Sequence, residues 1–211
     1  MTPYADFLFF GFMLYIVFPT IVLGLFGKAN SRWALVSTML VLIVLLSDQA
    51  YSVRLSPDFA LRQIWVVLAY AGYEAVVALA FLRWRTRVMF WVSLGLAILP
   101  IAFSKVLPVL PIESTFGFLG ISYVTFRALD VIFSIQDKLI TAINPAQYFA
   151  YLFFFPTVSS GPIDRFRRFG QDWARIRGRG EFLDDLDAAV QRVFQGFLYK
   201  FIIAALISTY W

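Results

Sequence analysis

The chain has 211 residues, 61% of them hydrophobic, 19% aromatic and only 15% charged, with a formal net charge of +5. Soluble domains carry about a quarter charged residues; a chain of this size could not hide so much apolar surface from water, so the bilayer is its solvent. It has no cysteine and no histidine, which excludes disulfides, thiol chemistry, and the commonest general base and metal ligand.

The expected architecture is all-α, a polytopic helical membrane protein forming a single, incomplete domain over residues 1–211. Phe7 to Phe26 is the first apolar run, close to the roughly 20 residues that cross a bilayer core. It lacks a basic leader and a small-residue cleavage site, so it reads as a retained helix. Further spans are expected from Trp33 to Ser47, Ile64 to Leu82, and Val88 to Phe103. Pro100, Pro108 and Pro111 are expected to break the pattern there. A fifth span covers Phe118 to Ile135. The next apolar run, Ala146 to Val158, is too short to cross and suits a re-entrant segment. After a basic loop, Phe182, Leu186, Val190, Val193 and Phe197 fall at helical spacing between Glu181 and Lys200. Glu181, Asp184 and Asp185 sit in the first turn of that helix, where its dipole favours anions. Phe197 to Trp211 begins another span.

Lysine and arginine favour the cytoplasmic side. With the N-terminus outside, Lys28, Arg32, Arg83, Arg85, Arg87 and Lys138 face in, while Arg54, Arg62 and Lys105 face out. If Ala146–Val158 re-enters rather than crosses, Arg165, Arg167, Arg168, Arg175, Arg177 and Arg179 join the inner set. Charge and length therefore agree on re-entry. Non-helical backbone at membrane depth must be surrounded by protein or a wet cavity. Pro156, Ser159, Ser160, Gly161 and Pro162 are expected to form that broken motif, Gly161 allowing a turn that a side chain would obstruct.

The stretch FPTVSSGPIDRFRRF, Phe155 to Phe169, resembles a signature of the membrane-bound O-acyltransferases. It is most similar to their D-alanyl-transfer branch, the DltB-type proteins of teichoic acid D-alanylation. Gly120–Ile121–Ser122–Tyr123–Val124–Thr125–Phe126–Arg127 resembles a second family segment, and Gly196 to Ile203 a third. The matched stretches run from Phe118 to Ile203; the first four spans fit only in general character. The resemblance implies a multi-pass protein of a bacterial plasma membrane. A D-alanyl carrier protein would dock from the cytoplasm and present its acyl group as a thioester on a phosphopantetheine arm, with no tightly bound cofactor. The family's catalytic histidine lies downstream of these segments. A chain without histidine then corresponds to the N-terminal half of such an enzyme, inactive without a C-terminal half or second subunit. Alginate-type polysaccharide O-acetylation and a non-catalytic transport or scaffold role are the alternatives.

The candidate residues admit more than one role. Arg165, Arg167 and Arg168, with Asp164, either anchor topology and bind anionic lipid headgroups or dock the acidic carrier. A nucleic-acid partner is not expected beside a membrane dip. Asp164 and Arg165 can also be a local ion pair or cap. Ser159 and Ser160 have no histidine to activate them as nucleophiles. Glu74, Arg127 and Asp130 are ionisable groups within expected spans, where charge is costly and faces a cavity or a partner. Arg127 and Asp130 are three residues apart, so they share a helix face and can pair with each other, with Glu74 as a third member. Alternatively they line a tunnel for the acyl arm, together with Glu74, Tyr123 and Lys200.

Overall fold

The computed structural model describes residues 7–28, 31–52, 57–106, 120–157 and 164–208. The described residues contain helices and turns and no strand. The helices are α1 (Phe7–Leu25), α2 (Ser31–Ser52), α3 (Pro57–Arg83), α4 (Arg87–Val106), α5 (Ile121–Gln136), α6 (Pro145–Leu152), α7 (Phe166–Ala174), α8 (Arg179–Phe197) and α9 (Ala204–Ser208). A 3₁₀ turn, Phe155–Thr157, follows α6, and a π-helical stretch, Leu198–Ile203, joins α8 to α9. Among the described residues, three stretches are long and apolar enough to cross a membrane: Ile64–Arg83, Arg87–Val106 and the joined Arg179–Ser208. Gly11–Leu25 and Ser31–Val44 are shorter apolar helical stretches.

α5 is the hub. Ile121, Val124, Ala128, Val131 and Ile135 recur every three or four residues and are all buried, the spacing of one helical face. α3, α4, α6 and α7 all pack against it. α4 meets this core through its small residues Ser93 and Ala97 and through Pro100, all buried. Its Val88, Trp91 and Phe103 point outward and are more than half exposed. Small residues inside and large apolar ones outside suit a helix whose surroundings are hydrocarbon.

α4 corrects one expectation. Pro100 does not end it; the helix runs on to Val106. A proline cannot donate to the carbonyl four residues earlier, which here is that of Leu96. The Tyr73 hydroxyl of α3 donates to that carbonyl at 2.8 Å, so the bond removed by Pro100 is replaced from the neighbouring helix. Pro108 and Pro111 lie outside the described residues.

The expected fifth span is a 16-residue helix, about 24 Å at 1.5 Å per residue. Its start is set by Gly120, whose φ of 92° lies in the left-handed region that glycine adopts at low cost. The amphipathic helix after the basic loop also differs from expectation. α8 continues without a break into the π-helical stretch and α9. Phe182 and Leu186 are half-buried, and Phe182 packs against Gly24 of α1. Val190 and Val193 are exposed, because the described part of the chain offers nothing to cover that end of the face.

Many of the basic residues collect at one end of the bundle. Arg85, after α3, donates to the Ile140 carbonyl at 3.0 Å. Asp137 and Leu139 share a cavity wall with Arg165, Arg167 and Arg168. Lys28 shares another with Arg175 and Arg177. The chain therefore enters the interior after Leu139 and is back at the same end by Arg165. α6, with eight residues, covers only about 12 Å, as a segment that enters without crossing requires.

Candidate functional site

The inward segment is built for a buried environment. Asn144 caps α6, its Oδ1 accepting from the backbone N–H groups of Ala146 at 3.0 Å and Gln147 at 3.3 Å. Pro145 occupies the first turn, where its missing N–H costs nothing. Tyr148, Ala150, Tyr151, Leu152 and Phe153 are all buried. A helix leaves its last carbonyls without intrahelical partners, and here they belong to the buried residues Tyr151 and Leu152.

Arg127 supplies the partners. It is 2% exposed, and its Nη1 donates to the carbonyls of Tyr151 at 2.8 Å and Leu152 at 2.9 Å. Its Nη2 donates to Thr157 Oγ1, and its guanidinium carbon lies 5.7 Å from the centre of the Tyr151 ring. A planar fork with several donors suits this task better than a point charge. One side chain of α5 thus closes the C-terminus of α6 and holds the 3₁₀ turn behind it.

Asp130, one turn further along α5, ties in α7. Its Oδ2 accepts from the Phe166 N–H at 3.0 Å and lies 3.1 Å from the Tyr151 hydroxyl. That hydroxyl also lies 2.7 Å from the Asp164 carbonyl and shares its single proton between the two acceptors. The Tyr151 ring packs edge-on to Phe166 and tilted against Phe169, with centroids 5.2 and 5.5 Å away. Arg127 and Asp130 share a helix face of α5; Arg127 reaches the backbone carbonyls of α6, and Asp130 an amide and a phenol.

The other candidate residues divide. Glu74 is fully buried on α3. Its backbone carbonyl lies 3.5 Å from the Tyr148 hydroxyl, while its carboxylate oxygens have no hydrogen-bond partner among the described residues. Tyr70, one turn before Glu74, is 2.7 Å from Thr125 Oγ1, a link between α3 and α5 that sequence reasoning did not single out. Tyr123 is half-buried on α5, one turn before Arg127. Lys200 is exposed on the π-helical stretch with its ammonium 5.6 Å from the Phe201 ring. Asp164 accepts from the Arg165 N–H at 2.9 Å, and its ion contact is a 3.9 Å approach to Arg168 Nε, one turn on. Pro156 sits in the 3₁₀ turn; Ser159, Ser160, Gly161 and Pro162 lie outside the described residues.

Two cavities flank the first turns of α7. One, of about 320 Å³, is lined by Arg127, Tyr151, Phe154, Thr157, Asp164, Arg168 and Phe169. The other, of about 350 Å³, lies between the end of α5 and the start of α7, with Asp130, Asp137, Arg165, Arg167 and Arg168 in its walls. Arg168 belongs to both. The first leads from an exposed arginine to a buried one between aromatic walls. No group of histidine, cysteine or carboxylate side chains suited to a metal occurs among the described residues.

Fold and site together define an all-α, polytopic membrane protein with an arginine-held interior segment. No protein-family model matches the chain. Along its length it is similar to proteins named teichoic acid D-alanyltransferase. That of Bacillus subtilis (strain 168) is 37% identical over 218 residues, covering 100% of this chain and 53% of the relative. That of Lacticaseibacillus rhamnosus is 32% identical over 219 residues, covering 100% and 52%. That of Streptococcus thermophilus (strain ATCC BAA-250 / LMG 18311) is 32% identical over 218 residues, covering 99% and 49%. The chain spans about half the length of the curated relatives it matches. The similarity takes in the first four helices, which the motifs alone left unassigned.

Proposed function

We propose that the chain is the N-terminal portion of a membrane-bound O-acyltransferase of a bacterial plasma membrane. It transfers D-alanyl groups from a carrier-protein thioester to teichoic acid. The observation that carries this reading is the 37% identity to a teichoic acid D-alanyltransferase over the whole chain. A second observation supports it. The motif stretches Gly120–Arg127 and Phe155–Phe169 lie apart in sequence, yet meet where Arg127 bonds Thr157.

In this reading the carrier docks at the basic end of the bundle, steered by Arg165, Arg167 and Arg168. The cavity from Arg168 to Arg127 would receive the phosphopantetheine arm, which is part of the substrate. The chain's own residues bind and orient that arm. Phe154, Phe169 and Tyr151 wall the cavity, and Arg127 keeps α6 and the turn after it in place. The 211 residues contain no histidine, so a histidine base for acyl transfer would come from outside them.

The test is D-alanyl ester formation on teichoic acid in cells lacking their own transfer activity. The chain alone should give none, and co-production with the second half of a relative should restore it. Transfer by the purified 211-residue chain would overturn the reading and demand a mechanism without histidine.

A further inference from the structure

The cavity between the end of α5 and the start of α7 holds an electrostatic imbalance. Arg165, Arg167 and Arg168 lie within one turn at the N-terminus of α7, and all three are exposed. The helix dipole disfavours cations at that end, and the three also repel one another. Neither Arg165 nor Arg167 makes an ion pair among the described residues. Arg168 has only a 3.9 Å approach to Asp164, with both side chains substantially exposed, a contact worth little in water.

The carboxylates of the cavity wall do not restore the balance. Asp130 is committed to the Phe166 N–H and the Tyr151 hydroxyl, which leaves Asp137 facing three guanidiniums. Ser134 and Gln171 add neutral hydrogen-bonding groups to the same wall. At about 350 Å³ the cavity falls in the size range of small-ligand sites. Guanidinium forks match the oxygens of a phosphate, bonding two at a time.

We propose that this cavity binds a phosphate group, with Arg165, Arg167 and Arg168 as its donors. The phosphate belongs either to an anionic lipid headgroup or to a soluble phosphate ester. The site uses the arginines of the proposed docking surface, but its test contains no carrier protein, so either idea can fail alone.

The test takes the full chain in phosphatidylcholine nanodiscs and measures its unfolding midpoint against inorganic phosphate, with chloride at equal ionic strength as reference. A parallel series replaces part of the phosphatidylcholine with phosphatidylglycerol. The variants are Arg165→Gln/Arg167→Gln and, as a control of equal charge change, Lys105→Gln/Arg192→Gln. Phosphate or phosphatidylglycerol should raise the midpoint of the wild type and of the control. The first pair should weaken that response about tenfold or more, the loss expected from one or two charge-assisted bonds. A response to inorganic phosphate in phosphatidylcholine supports a soluble ester as the source. A response to phosphatidylglycerol alone supports a lipid headgroup. No response to either, or an equal loss in the control pair, overturns the proposal.

Discussion

Replacing Arg127 by methionine should be among the most damaging single changes in the described structure. Methionine fills much of the same space but donates nothing, so the buried carbonyls of Tyr151 and Leu152 lose the donors now at 2.8 and 2.9 Å. Each buried acceptor left unpaired costs about 1–3 kcal/mol, so with two of them Arg127→Met should destabilise the chain by about 2–6 kcal/mol. Arg127→Lys keeps the charge but not the fork that reaches three acceptors, and should fall between methionine and wild type. Arg85→Met is the comparison: Arg85 also donates to a carbonyl, that of Ile140, but from an exposed side chain, and should cost under about 1 kcal/mol. Unfolding in detergent by increasing SDS, followed by tryptophan fluorescence, gives the order. An Arg127→Met chain as stable as wild type would refute the claim that this guanidinium holds the interior segment.

Tyr73→Phe should cost about 1 kcal/mol in the same assay, and much less in a Pro100→Ala background. There the alanine N–H can serve the Leu96 carbonyl itself; equal costs in both backgrounds would show that Tyr73 does not compensate for Pro100. A methyl at Gly24 would collide with the Phe182 ring, so Gly24→Ala should lower stability and Phe182→Ala should remove that penalty when the two are combined. Gly120→Ala forces a side chain into the left-handed region and should cost about 1–2 kcal/mol. Single cysteines at Ile176 and Ser56, treated in intact cells with a membrane-impermeant thiol reagent, test orientation: Ser56 should label and Ile176 should not, and the reverse pattern would invert the proposed topology.

The sequence by itself determined the helical class, the order of the apolar helices, the basic end, and the segment too short to cross. These are written in local quantities: length of apolar run, charge per residue, and spacing along one helix. It also marked Glu74, Arg127 and Asp130 as ionisable groups inside apolar spans, because charge in an apolar run is conspicuous. Their partners were decided by tertiary structure alone. Arg127 serves main-chain carbonyls at the end of α6, and no side-chain pattern announces which carbonyls a short helix leaves unpaired. Asp130 meets the amide of Phe166, 36 residues away. Pro100 looks like a helix end in one dimension and becomes a helix interior once Tyr73 of α3 lies beside it. In each case a polar backbone group had to find a donor or acceptor away from water, and the packed neighbours determined which one it found.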